Sequence, residues 1–287
     1  MRRCRSVDLL VAIVLAAPAC AVHQVKDDPK PLVAVPAGFQ SGGGAVAAPL
    51  RWWTSFGDAS LNGLVDQALS GNFDLKRAAA RLGMATAAAA QQGAAVWPQL
   101  SAEVGVSAAR NNIYVNKQLN FTNTTTSVPL MLTASYEVDL WGRVSSVRKA
   151  AGLDVAASVE DRDAMAMMIS AQVAETWFAL LEQRASKALL LEQIVQAEQL
   201  LELVQLRFSV GQSNVVAVLQ QRQQVVGLRA QLPLIEAGIS TLGHQLSVLL
   251  GRAPGVASPA PELATLPKPT PLPKAGVPAE VLKRRPD

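Results

Sequence analysis

Apolar residues alternate with polar ones in two short stretches of the chain and recur at helical spacing almost everywhere else. Leu100, Ala102, Val104, Val106 and Ala108 alternate with Ser101, Glu103, Gly105 and Ser107. Val128, Leu130, Leu132, Ala134, Tyr136, Val138 and Leu140 alternate with Met131, Thr133, Ser135, Glu137 and Asp139. A period of two predicts two strands, each with one apolar and one mixed face. The polar segment from Asn111 to Ser127 is read as the loop between them, with its tip at Asn120–Thr126.

Helical spacing flanks this pair on both sides. Leu61, Leu64, Val65, Ala68 and Leu69 form one face of a first helix, with Asp58 or Ser60 as its N-cap. Asn72-Phe73-Asp74 interrupts that face, and an Ala-rich run from Leu75 to about Ala95 continues until Trp97-Pro98 stops it. From Ser145 to Phe208 the pattern is helical and free of proline, about 95 Å at the usual rise of ~1.5 Å per residue. Its later part steps Leu190, Ile194, Ala197, Leu201, Val204, Phe208. After the turn Ser209–Ser213, where Gly211 suits a left-handed helix end, a return stripe runs Leu228, Leu232, Ile235, Ile239, Leu242, Leu246, Leu249. Two such stripes joined by a tight turn predict an antiparallel coiled-coil hairpin, which Pro233 should bend or shift in register.

The ends have their own composition. Arg2, Arg3 and Arg5, an apolar run from Leu9 to Ala17 and the small residues before Cys20 read as a secretory signal over residues 1–19, too short to span a bilayer. Cys20 sits where a bacterial lipoprotein carries its lipid anchor; ordinary cleavage after Ala19 is the alternative. Residues 20–57 read as a strap or linker, 58–98 as the first helical segment and 99–141 as the strand hairpin. Residues 142–252 form the long helical hairpin, and 253–287 a Pro-rich connector. Val281–Asp287 aligns weakly with Ala68–Asp74 through Leu282 and Asp287, as the start of a second copy of the unit would. Two strands of this length fit either a transmembrane hairpin or a half-buried hairpin of a soluble sheet. The secretory signal, with Tyr136 and Trp141 near the strand end, favours the membrane.

Composition narrows the function classes. Hydrophobic residues make up 50% of the 287 and aromatics only 5%, which favours long helices packed side by side over a compact aromatic core. The net charge of +4 is scattered outside the N-terminus, so no basic stripe for nucleic acid appears. Both cysteines lie in the first twenty residues, His23 and His244 are isolated, and no metal-ligand spacing, nucleotide loop or nucleophile motif occurs. Glu175, Glu182, Glu192, Glu198 and Glu202 are dispersed along a helix as a solvated face. Met165, Met167 and Met168 read as packing residues before soft-metal ligands. No enzyme, cofactor or resident metal is expected.

Several blocks together resemble the outer-membrane efflux protein family, the TolC-like channels, and within it the OprM-like lipoprotein branch that serves resistance-nodulation-division pumps. They are Trp52–Asp58 with Leu61, Leu64 and Val65; Ala68-Leu69, Asn72, Asp74-Leu75 and Ala78; and Pro98 with Leu100. Tyr136-Glu137-Val138-Asp139-Leu140-Trp141-Gly142-Arg143 is the most specific, followed by Arg207 with Val210-Gly211, Leu249–Gly251, and Leu282 with Arg284–Asp287. The resemblance implies a mainly α subunit with a transmembrane β-hairpin, of which this chain holds the first of two repeats. Three chains would close one barrel in the outer membrane and one helical tunnel across the periplasm. The implied function is a passive exit duct for drugs or other small molecules, driven by an inner-membrane pump through a periplasmic adaptor. A non-pore periplasmic coiled-coil adaptor or structural lipoprotein is the alternative.

The resemblance also assigns residues. Cys20 would be the lipid anchor. Arg207, Phe208, Val210, Gly211, Gln212 and Ser213 would form the adaptor-contact tip, and Ser135, Glu137 and Asp139 the lumen-facing end of the second strand. One departure stands just past the tip: Val215–Val218 is wholly apolar where the family often carries an acid, which argues against an acid-dependent contact there.

Overall fold

The structure is a computed structural model that describes residues 51–115 and 119–255. Cys20, the signal segment and most of the Pro-rich connector lie outside these residues. The chain divides into two compact units, one containing Gly83–Ala157 and the other containing Ser158 onward together with the described residues up to Leu82.

The larger unit is helical. A 3-10 turn, Trp52–Phe56, closes at Gly57, whose φ of 68° places it in the left-handed region. Asp58 then caps α1 (Ala59–Gly71), its Oδ1 accepting the Ser60 and Leu61 amides at 2.8 and 3.1 Å. The α1 face Leu61, Leu64, Val65, Ala68 is buried, as its spacing predicts. It packs into one core with Ile169, Val173, Ala174, Trp177, Leu180 and Leu181 of α3 (Arg143–Ser209) and with Leu246 and Leu250 at the end of α4 (Val215–Leu249). Each fully buried side chain of this kind contributes about 1.5–3 kcal/mol. Fittingly, α3 is the one described helix long and apolar enough to cross a membrane, and much of its apolar surface is used in this core.

Asn72, which is buried, separates α1 from α2 (Phe73–Gly93). Its Oδ1 accepts the Asp74 and Leu75 amides, capping α2, while its Nδ2 donates to the Leu249 carbonyl at 2.9 Å. One side chain thus starts a helix and fastens it to the end of another. Toward the far turn, Leu190 and Ile194 of α3 are buried, and the return stripe from Leu228 to Leu249 is buried or half-buried throughout. Lys187–Glu236 at 2.8 Å and Arg229–Glu198 at 2.6 Å join the two helices on either side of Pro233. The disturbance expected from that proline is not seen in the pairing: α4 runs unbroken through it.

The smaller unit contains the last residues of α2, a 3-10 turn at Ala94–Val96, four strands and the first turns of α3. β1 (Gln99–Val104) pairs antiparallel with β4 (Leu130–Ser135), and β2 (Ser107–Val115) with β3 (Leu119–Ser127). The register is the same in both pairs, so they form one long hairpin with an interruption at Gly105-Val106 and Val128-Pro129, bridged by the Gly105 amide on the Pro129 carbonyl at 3.0 Å.

Two expectations are corrected here. The segment Asn111–Ser127 is not a loop: its described residues, 111–115 and 119–127, are strand. Its threonines are β-branched and favour strand, and polar cross-strand contacts such as Thr122 Oγ1 to Asn112 Oδ1 at 2.9 Å hold the pair. The second strand ends at Ser135, not at Leu140. Tyr136–Leu140 leaves the ladder because Asp139 turns back to cap α3.

Candidate functional site

The hairpin register sorts its side chains onto two faces. Leu100, Ala102, Val104, Val106 and Ala108 share one with Thr126, Val128, Leu130, Leu132 and Ala134. On that face Leu100, Val106, Leu130 and Leu132 are 73–77% exposed. Large apolar side chains standing together in the open are the informative exception to ordinary burial. The band spans nine residues, about 30 Å along the strand at ~3.3 Å per residue, or roughly 23 Å when tilted by ~40° as membrane barrel strands are. That matches the apolar belt of ~25 Å such barrels present to lipid. Past Ala108 the same face turns polar, with Arg110 and Asn112 opposite Thr124 and Thr122. The other face carries Ser101, Glu103, Ser107, Ser127, Thr133 and Ser135.

At the base of the hairpin lies the junction with α3. Arg143 Nε donates to Glu137 Oε1 at 2.7 Å, and its Nη2 donates to Glu137 Oε2, a two-pronged clamp across the turn. Asp139 accepts the Val144 amide at 3.1 Å and the Ser145 amide at 2.8 Å, satisfying two orphan donors at the start of a 67-residue helix. Gly142 sits between them at φ 73°. The Arg143 hydrogen bond holds the Glu137 carboxyl below its ordinary range, and the Ser145 amide does the same for Asp139. Tyr136, Glu137, Asp139, Ser145, Arg148 and Lys149 line an open hollow of about 450 Å³ there.

Sequence reasoning grouped Ser135, Glu137 and Asp139 as one strand face. Only Ser135 lies on a strand, at the end of the polar face; the two acids act on the helix start instead. Glu103 was read only as one of the alternating polar residues, although the register makes it the only charged residue on the face opposite the band, at the band's level. The absence of any other Asp, Glu, Lys or Arg in 99–109 and 125–135 was a usable signal.

The opposite end of α3 carries the second candidate site. Gln212 donates its amide to the Arg207 carbonyl at 2.8 Å and Gly211 to the Phe208 carbonyl at 3.0 Å, with Gly211 at φ 73°. This is a Schellman ending, and it brings Arg207, Phe208, Val210, Gly211, Gln212 and Ser213 together at one turn. Asn214 then caps α4 by accepting the Ala217 amide at 2.8 Å. Phe208, Val210, Val215, Val216 and Leu219 remain exposed. Among the described residues no group of His, Cys, Asp or Glu could hold a metal ion, and Met165 packs on the core while Met167 and Met168 stay exposed.

Known proteins share this arrangement. Residues 64–252 match the model of the family described as outer membrane efflux protein. The pyoverdine export outer membrane protein OpmQ of Pseudomonas putida is 33% identical over 89% of this chain and 56% of its own length. The cation efflux system protein CusC of Escherichia coli K12 is 26% identical over all of this chain and 62% of its own. The chain thus spans little more than half the length of the curated relatives it matches. Among solved structures, the outer-membrane channel OprN superposes with a TM-score of 0.75 at 23% identity, over 92% of this chain and 60% of that one. A CusC structure gives 0.73 at 26%, over 91% and 58%. With two thirds of its residues inside the family model and the same fold as these channels, the chain belongs to the outer membrane efflux protein family.

Proposed function

We propose that the chain is part of the outer-membrane channel of a tripartite efflux system, a passive exit duct for small molecules. The observation that carries this reading is the exposed apolar band of the hairpin, whose length suits a membrane barrel and whose last strand leads, through residues 136–142, into a helix of 67 residues. Among the described residues the hairpin's strands pair only with each other, and a closed barrel supplies the further strands their outer edges need. In this reading three copies close the barrel, and each full-length subunit carries a second repeat of the hairpin and long helices. The apolar face meets lipid. The polar face, with Ser135 at its end, meets the lumen, and Glu137 and Asp139 stand at the mouth where barrel becomes tunnel. Cys20 is the lipid anchor, and α3 and α4 extend into the periplasm.

The turn from Arg207 to Ser213 is the contact for a periplasmic adaptor, which links the duct to a resistance-nodulation-division pump in the inner membrane. Its exposed apolar residues and the apolar Val215–Val218 favour a docking contact made by packing. A non-pore coiled-coil adaptor is disfavoured by the membrane-length apolar band, which such a protein would leave uncovered in water. Deleting the gene in its host and following retention of a fluorescent efflux dye tests the reading. Retention should rise in the deletion and return to the parental level on complementation. Unchanged retention of every dye, drug and organic solvent tried would contradict it.

A further inference from the structure

Glu103 stands near the middle of the nine-residue apolar band, yet on the opposite face of the hairpin. It is the only charged residue among positions 99–109 and 125–135. Its cross-strand partner is Met131, and Ser101, Gly105, Pro129 and Thr133 are its neighbours along and across that face, so no positive charge of the hairpin stands against it there. Glu137 and Asp139 differ: one is clamped by Arg143 and the other by the amides that open α3. An ionisable group at membrane depth is costly on the lipid side and persists where it meets a water-filled space. Rings of acidic side chains are the usual source of cation preference in aqueous pores.

We infer that Glu103 is the charge-selecting residue of the barrel, a fixed negative group on the lumen wall at mid-membrane depth that raises the local concentration of cations and disfavours anions. The inference rests on the channel reading and adds to it a property of the pore. One unit charge about 10 Å away across water changes an ion's local population by a factor of about two, so the effect is modest and measurable.

The test uses the full-length gene product reconstituted in planar bilayers and in vesicles. In a salt gradient the parental channel should favour potassium over chloride, and Glu103→Gln should lower that permeability ratio by about two-fold or more while conductance steps persist. An unchanged ratio would overturn the inference and leave the channel reading standing. A second measurement does not need conductance. In vesicles, a charged, membrane-impermeant thiol reagent should label Glu103→Cys and spare Val104→Cys, each measured against the background labelling of the parental protein. Labelling of Val104→Cys that equals or exceeds that of Glu103→Cys would overturn the inference even if no current were recorded.

Discussion

Trp177 donates its indole N–H to Asp58 Oδ2 at 2.8 Å, so the carboxylate that caps α1 also satisfies the largest fully buried side chain among the described residues. Asp58 sits at the start of a short helix and Trp177 in the middle of a very long one, 119 residues later. The two oxygens of one side chain therefore tie a local signal to a tertiary contact. Asp58→Ala removes the cap and leaves a buried indole N–H without a partner. The cost should be about 2–4 kcal/mol, read as a lower Tm of the helical circular dichroism signal. Asp58→Asn keeps one acceptor oxygen for the cap but turns an NH2 donor toward the indole N–H, so it should recover only part of that loss.

Gly71 and Gly251 meet backbone to backbone beside the Asn72–Leu249 bond. A Cβ at Gly71 would lie 2.7 Å from the Leu250 carbonyl oxygen, and one at Gly251, which has φ 71°, 2.3 Å from that of Gly71. Gly251→Ala should cost more than about 2 kcal/mol, from the left-handed backbone and the clash together. Gly63, inside α1, faces open space. Gly63→Ala should stabilise by about 0.5–1 kcal/mol, and paired thermal melts would show the opposite signs.

The strand-to-helix junction is sensitive to acid. Glu137 and Asp139 are both held below their ordinary values of 4.5 and 3.8. A carboxylate depressed by folding stabilises the fold fully above its ordinary value and loses that contribution as pH falls through its lowered one. Hydrogen-exchange protection of the Val144 and Ser145 amides should therefore hold near neutrality and fall progressively below about pH 4. Asp139→Asn should remove most of that dependence. Protection that stays flat down to the acid limit would mean that Asp139 does not cap α3.

At the far turn, Val210→Asp places a charge on the exposed apolar patch that is proposed to dock the adaptor. Cross-linking to the cognate adaptor should fall several-fold while the Tm of the helical signal stays near parental, because Val210 is exposed. Loss of both together would mark Val210 as a folding residue instead.

Much of the helical framework was legible because its punctuation is local. Asp58, Pro98, Gly211 and Gly251 each mark a helix end within a few residues, and the return stripe repeats over about six turns. The Asn72–Leu249 and Asp58–Trp177 contacts were not legible, since nothing in either segment names a partner more than a hundred residues away. The hairpin was underestimated for a different reason. Polarity at Asn111–Ser127 was equated with loop, although threonine favours strand wherever one can extend beyond its apolar section. At Tyr136–Leu140 the alternation continues in sequence after the ladder has ended, because Asp139 and Glu137 are drawn to the helix start. Glu103 lay in plain view as a polar-face residue, but its isolation behind the band shows only once the register fixes where the band begins and ends.

Residues 99–135 are proposed to supply wall strands of a membrane channel. Single-channel recording of the purified full-length gene product in planar bilayers tests it most directly. Discrete conductance steps of uniform size are expected, abolished when Leu130 and Leu132 of the apolar face are both replaced by Asp, a change that should block insertion. A well-folded, helical protein that produces no steps at any concentration, or steps indifferent to those two substitutions, would contradict it.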